Sequence, residues 1–238
     1  MKKVKGNFPI SALTFDLDNT VYDNLMIIKS IEKNTLDWLT NRFPKMESVS
    51  IDRFSEFGTH VVIDRPELIH QVDQWREQQI INCLQGVGVD QVDIIKAIDQ
   101  LLPLVHTWRN NISLTDNTKS VLNKLKARYR LIAITNGDLC IRESGLHMYF
   151  EQCFSAGIHG LPKPHPDLYE KAARYLKVDK DKILHVGDSL VDDVYGAKKS
   201  GFKSCLLSHD YIGSEIKISE EYKPDLVINN LSDLTALL

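Results

Sequence analysis

The chain has 238 residues, 43% of them hydrophobic and 26% charged, the balance of a globular protein with room for one large domain or a core plus a smaller module. Its 29 Lys and Arg against 32 Asp and Glu give a formal net charge of -3, which argues against a polyanion-binding surface and sets nucleic acid aside as a partner. No stretch is long enough to span a membrane, and the basic start MKKVKGNFPI lacks the apolar run of a signal peptide, so a cytoplasmic protein with no membrane partner is expected. Cys83, Cys140, Cys153 and Cys205 are scattered and form no CxxC pair. They read as reduced thiols packed as small hydrophobes, not as zinc ligands or a disulfide framework.

In chain order, the first apolar run is Ile10 to Phe15 (ISALTF), short and ending at an acidic cluster, which predicts a buried strand. The interval from Tyr22 to Asn111 changes character. Leu25, Ile28, Ile31, Leu36 and Leu39 approximate helical spacing, as do Trp75, Ile80, Ile81 and Leu84, and then Val92, Ile95, Ile98, Leu101 and Leu102, with Asp90 placed to cap the third helix. Val61-Val62-Ile63 is the one short strand signal there. Trp38, Trp75 and Trp108 all fall in this interval and read as core.

Beyond it, RLIAIT (Arg130 to Thr135) and ILHV (Ile183 to Val186) predict strands ending at Asn136-Gly137 and Gly187-Asp188. Ser204 to Leu207 and Leu226 to Ile228 predict two more, while Thr118 to Tyr129 and Asp167 to Leu176 carry helical patterns. Strands alternating with helices argue for an α/β fold, a Rossmann-like parallel sheet with helices on both faces. The expected division is a core of residues 1-21 and 112-238 with an α-helical domain, 22-111, inserted after the first strand. Tyr211 to Pro224 reads as an exposed loop or short helix, and His185 as a satisfied core histidine.

The chemistry gathers at strand ends, where α/β sheets bind ligands. Asp16 and Asp18, in FDLDNT, face one site together if the strand geometry persists past Phe15. Two close carboxylates repel, a bound cation relieves them, and an all-oxygen set suits magnesium. Alone, these acids could also merely form a turn or cap the next helix. Thr135 and Asn136 offer hydroxyl, amide and backbone N–H groups to phosphate oxygens, although Asn136-Gly137 also suits a plain turn. Lys163 lies between Pro162 and Pro164, which stiffen its loop and can aim its ammonium inward; a lone loop lysine is otherwise solvated. Asp188 is placed to complete a metal site. Asp193 either supports that site or orients Lys163, and Asp192 reads equally as a solvated acid at a helix start.

The ordered set FDLDNT, AITNG, a lysine in KPHP and HVGDSLVDDVYGA resembles the haloacid dehalogenase superfamily of phosphohydrolases, from Ser11 to about Leu207. The resemblance implies that residues 22-111 form a small cap domain. It implies Asp16 as the nucleophile that forms an aspartyl phosphate, and Asp18 as the general acid and then base. It further implies Thr135, Asn136 and Lys163 as phosphoryl-binding residues. Magnesium would be held by the Asp16 carboxylate, the Asp18 backbone carbonyl and the Asp188 carboxylate, with Asp193 in support. The dehalogenases of the superfamily lack an acid where Asp18 stands. The implied partner is a small phosphorylated metabolite, and the implied assembly a monomer or homodimer. ISALTFDLDNTVYDN and LHVGDSLVDDVYGA resemble most the bacterial members associated with riboflavin synthesis, which implies 5-amino-6-(5-phospho-D-ribitylamino)uracil or FMN as substrate. The alternatives are a sugar-phosphate phosphatase or phosphomutase of the same superfamily and, outside enzymes, a receiver-like phospho-acceptor or a silent binding protein.

Overall fold

A computed structural model describes residues 9–208 and 219–238. The reading of the first eight residues, and that of Tyr211 to Pro224 as far as residue 218, fall outside the described residues. The chain divides into two compact units, one made of the residues up to Asp23 and from Ser113 onward, the other of Asn24–Ile112.

The first unit is built on six parallel strands: β1 (Ala12–Phe15), β2 (Arg130–Thr135), β3 (Gln152–Ser155), β4 (Ile183–Gly187), β5 (Lys203–Leu207) and β6 (Leu226–Ile228), in the order β3-β2-β1-β4-β5-β6. The chain leaves β1 toward β2 and β3 on one side, then crosses back to β4, β5 and β6 on the other. That reversal opens a crevice beyond the carboxyl ends of β1 and β4. Every residue of β1 and β4 is buried, as expected of parallel strands covered on both faces.

Side chains alternate across the sheet. Ala12, Ile132, Ile134 and Ile183 face a helix, Asp167–Leu176, whose Leu168, Tyr169, Ala172, Ala173 and Leu176 form its apolar stripe. A second helix, Asp116–Lys126, packs on β2 through Val121, Leu122 and Leu125, outside that cluster. Its first turn is closed by Thr115, whose hydroxyl accepts from the Thr118 N–H at 3.1 Å. The helix thus begins two residues before the apolar pattern suggested.

β3 is the strand that the sequence pattern missed. Its four residues, QCFS, carry no run of β-branched side chains. It is a strand because β2 offers a parallel edge, pairing Ile132 to Thr135 with Gln152 to Ser155.

The second unit contains the helices Asn24–Arg42, Ile51–Asp64, Val72–Gly86 and Gln91–Asn110. Ile31, Leu39, Phe54, Ile80, Leu84, Ile98 and Leu101 lie in its core, and Trp38 and Trp108 pack against it. Leu25, Val92 and Ile95 of the predicted stripes are instead more than half exposed; in the last helix the buried face runs through Ile94, Ala97, Ile98, Leu101 and Val105, which leaves Val92 and Ile95 off it. Val61-Val62-Ile63 is helical, a correction to the strand signal. Val61 packs inward at helical spacing from Phe54 and Gly58, and that periodicity overrides local β propensity. Asp90 precedes the last helix, but its side chain makes no capping hydrogen bond. All four cysteines are free, and Cys83, Cys153 and Cys205 are buried.

Candidate active site

At the carboxyl end of β1 the sheet pattern runs one residue past the strand, because the Asp16 N–H donates to the Val186 carbonyl at 2.8 Å. The chain then turns. Asn19 takes a left-handed conformation with φ 60°, and its N–H donates to the Tyr22 carbonyl at 2.8 Å. Asp18, two residues beyond Asp16, forms an isolated bridge with Tyr22 as the chain enters this turn. The turn places Asp18, whose carboxylate accepts a hydrogen bond from the buried Tyr22 hydroxyl. Its charge still lies near enough to help push up Asp16 and Asp188.

Lys163 is buried, and its Nζ donates to Asp16 Oδ1 and to Asp193 Oδ1, each at 2.7 Å. A buried ammonium needs such partners, since leaving it unpaired in the interior costs several kcal/mol, on the order of 5. The loop that delivers it is anchored by Asn136. The Asn136 Oδ1 accepts from the Lys163 N–H at 2.7 Å, and its Nδ2 donates to the Lys163 carbonyl at 3.0 Å. The Asn136 side chain thus spends its amide on holding Lys163, a use that the sequence did not reveal. Thr135, almost fully buried, accepts the Gly137 N–H on Oγ1 at 2.9 Å, so Asn136-Gly137 is both a turn and part of the site. Accepting there keeps the Thr135 O–H available as a donor.

Asp193 is held from every side. Oδ1 accepts from Lys163 and from His185 Nε2, the latter at 3.0 Å, while Oδ2 accepts from the Ser189 N–H at 3.0 Å. Residues Leu190–Tyr195 form a wide π-type turn, which carries Asp193 back over β4. Gly187 makes room for it: a Cβ there would lie 2.1 Å from Asp193 Cγ. Gly187→Ala is accordingly expected to displace Asp193, release Lys163, and lower both the melting temperature and kcat. A thermal melt beside a phosphatase assay checks this, with a kcat loss on the order of 100-fold, the upper range for groups that hold a reacting residue in place.

One oxygen each from Asp16, Asp188 and Asp193 lies within 4.8 Å of the others. Of the acids that the sequence marked, the carboxylates brought together are thus Asp16, Asp188 and Asp193, with Asp18 alongside. With Lys163 the four groups sum to a charge of about -2 when ionised, which a divalent, oxygen-preferring cation balances. Burial raises the Asp16 carboxyl from its ordinary value of 3.8 to about 8, with Asp193 and Asp18 adding to the rise and Lys163 opposing it. Burial also raises Asp188, helped by the Asp193 charge. Asp193 goes the other way: burial opposes its ionisation, but Lys163 and the His185 hydrogen bond outweigh it. Burial would discharge Lys163, yet Asp16 and Asp193 more than offset it and raise its pKa.

This arrangement, an acid beyond β1 tied to a buried lysine, with further acids beyond β4, sits on a chain whose residues 10–201 match the haloacid dehalogenase-like hydrolase family. The chain belongs to that family. It is 34% identical over 229 residues to the 5-amino-6-(5-phospho-D-ribitylamino)uracil phosphatase YigB of Escherichia coli, covering 96% of both chains. It is 23% identical to a glyceraldehyde 3-phosphate phosphatase of Pyrococcus furiosus, covering 96% of this chain and 93% of the relative. Among solved structures, a 2-haloacid dehalogenase from Pseudomonas syringae pv. Tomato superposes with a TM-score of 0.82 at 28% identity, covering 96% of this chain and 97% of that one. Within the family this chain is a phosphatase. No helix among the described residues is long and apolar enough to cross a membrane.

Proposed function

We propose that this chain is a magnesium-dependent phosphomonoester hydrolase that works through an aspartyl phosphate on Asp16, with a phosphorylated flavin-pathway metabolite as substrate. The observation that carries the mechanism is the Asp16 carboxylate, fixed by Lys163 Nζ at 2.7 Å beside oxygens of Asp188 and Asp193. The oxygen-only donor set and its charge fit magnesium, which the Asp16 and Asp188 carboxylates and the Asp18 backbone carbonyl would hold, with Asp193 in support. When bound, the ion would neutralise charge on the phosphoryl oxygens and so ease attack by an anionic carboxylate.

This chain's own residues do the rest. Lys163 holds Asp16 Oδ1 and so fixes the carboxylate's orientation toward phosphorus. An Asp16 oxygen forms a bond to phosphorus as the bond to the leaving oxygen breaks, and Asp18 gives that oxygen a proton. A water then attacks the phosphoryl group. Its proton passes to the Asp18 carboxylate, the bond to Asp16 breaks, and inorganic phosphate leaves. The Tyr22 hydroxyl orients Asp18 for both transfers. Thr135 O–H and Lys163 ammonium stabilise the equatorial oxygens, where charge builds in the transition state. The helical unit Asn24–Ile112 matches in extent the small cap domain that the family resemblance implies. The protein works in the cytoplasm, as a monomer or homodimer.

The relative that acts on 5-amino-6-(5-phospho-D-ribitylamino)uracil, matched over 96% of this chain, is what favours that substrate. The test is kcat/KM on this compound, FMN, glyceraldehyde 3-phosphate and a set of hexose phosphates. The pathway intermediate is expected to lead the sugar phosphates by at least about 10-fold, near the discrimination that one or two buried contacts give. Finding it among the poorest would turn the assignment to a sugar-phosphate phosphatase.

A second reading, hydrolysis of a 2-haloacid, is favoured by the likeness to a 2-haloacid dehalogenase structure. Asp18 weighs against it, because halide leaves as a stable anion and needs no proton donor. Chloride release from 2-chloropropionate at a rate matching phosphate-ester turnover would reverse that judgement.

A further inference from the structure

His185 lies wholly inside the protein, yet it is wired to the reacting carboxylate through three hydrogen bonds. Its partner in register on β1 is Thr14, also fully buried. Thr14 Oγ1 lies 2.9 Å from His185 Nδ1, and His185 Nε2 lies 3.0 Å from Asp193 Oδ1. Asp193 Oδ1 accepts from Lys163 Nζ, which in turn donates to Asp16 Oδ1. Because Thr14 and Asp16 are two apart on β1, they project to the same face of the sheet. The path Thr14, His185, Asp193, Lys163, Asp16 therefore starts and ends on one strand, a closed ring of contacts under the site.

Donor and acceptor roles around this ring follow from its chemistry. An Asp193 carboxylate that also takes the Lys163 and Ser189 N–H groups can only accept. His185 must then carry its proton on Nε2, and Nδ1 accepts from the Thr14 hydroxyl. A neutral imidazole supplies an N–H to Asp193 without adding a second positive charge to compete with Lys163. The ring plane is fixed as well. Tyr169 packs edge-on against it, centroids 5.1 Å apart, and the Tyr169 hydroxyl donates to the Asp192 carbonyl at 2.7 Å, holding the residue beside Asp193.

We infer that His185, in an Nε2–H tautomer that Asp193 sets and the Thr14 hydroxyl accommodates, is a positioning residue: it aims the Asp193 carboxylate so that Lys163 is held against the Asp16 nucleophile. This rests on the proposed phosphatase reading for its kinetic consequence, but not for the tautomer. A core histidine that merely filled space would tolerate any side chain of like volume, and would leave the turnover of folded protein unchanged.

The experiment compares His185→Gln, His185→Leu, Thr14→Ser and Thr14→Val for kcat and KM on p-nitrophenyl phosphate with magnesium, each rate normalised to folded protein from a thermal melt. Gln can place its Nε2 near the imidazole Nε2, whereas Leu fills the volume and donates nothing. His185→Gln and Thr14→Ser are expected to keep kcat within about 5-fold, while His185→Leu and Thr14→Val lose about 10- to 100-fold with KM little moved, the usual effect of removing a supporting hydrogen bond. Equal kcat for the Leu, Gln and wild-type proteins overturns the inference, as does an equal fall in Gln and Leu. If Leu does not fold, the Thr14 pair decides it. A nitrogen-15 spectrum of the histidine side chains gives a reading independent of turnover. A proton on His185 Nε2, with Nδ1 bare, supports the inference, and a proton on Nδ1 overturns it. A wild type without phosphatase activity but with the Nε2–H tautomer would sink the phosphatase reading and leave the positioning geometry standing.

Discussion

Asp16→Asn is expected to eliminate turnover of every phosphate ester while leaving the protein folded. An amide oxygen is a far weaker nucleophile than a carboxylate and cannot complete the cycle through an acyl phosphate. Loss of a nucleophile that forms the covalent intermediate is expected to cost about 10⁴-fold or more in kcat. Stability moves differently. The Asp16 carboxyl has its pKa raised from 3.8 to about 8 in the folded, metal-free protein. A raised acid binds its proton more tightly when folded, so its contribution favours the fold at low pH and is lost as pH climbs from about 4 to about 8. Asn cannot ionise and escapes that loss. The metal-free variant should therefore melt no lower than the wild type at pH 8. A steady-state assay with a melt at pH 5 and pH 8 checks both parts. Residual activity within 100-fold of wild type would remove Asp16 from the nucleophile's role.

Lys163→Met should be costly twice over. The ammonium is the shared partner of Asp16 and Asp193, and both carboxylates are buried. Removing it leaves the Asp193 carboxylate, which Lys163 holds below the ordinary carboxylate range, buried without its cation, typically at about 3–5 kcal/mol. The same substitution takes away positive charge that faces the phosphoryl oxygens, worth about 10²- to 10³-fold in kcat for a single donor in comparable sites. Magnesium should restore part of the stability, because it supplies the missing positive charge, but not the turnover. Thermal melts with and without magnesium, beside kcat, separate the two effects. A variant as stable and as active as wild type would mean that Lys163 is only a structural counter-ion.

Much of this was readable from the chain because the strands are short and each ends at its functional group. ISALTF, RLIAIT and ILHV are short and mostly apolar, so burial on both faces is written into them; Asp16 follows the first at once, Thr135 ends the second, and Asp188 lies just past Gly187 after the third. Lys163 was legible through its flanking prolines. The less legible parts depend on pairing in three dimensions. β3 has no pattern of its own and is defined by the edge of β2. Asp18 was marked as the second acid of FDLDNT, but its bridge and hydroxyl contact with Tyr22 depend on the turn through the left-handed Asn19, which a linear pattern does not display. Val61-Val62-Ile63 has strand-forming residues, but Phe54, Gly58 and Val61 lie on one helical face, and tertiary burial decides. His185 read as a core residue, which it is. That its two nitrogens span from Thr14 to Asp193 follows from the β1–β4 register and from the wide turn after Asp188, neither of which a linear pattern displays.

The central claim, that Asp16 and its surrounding oxygens form a magnesium-dependent phosphatase site, is tested most directly by phosphate release from p-nitrophenyl phosphate, with magnesium and again after chelation. The account predicts multiple turnover that chelator abolishes and added magnesium restores, with a phosphorylated Asp16 trapped on rapid quenching. Turnover at full rate in chelator, or a phosphoryl group trapped on any other residue, would contradict it.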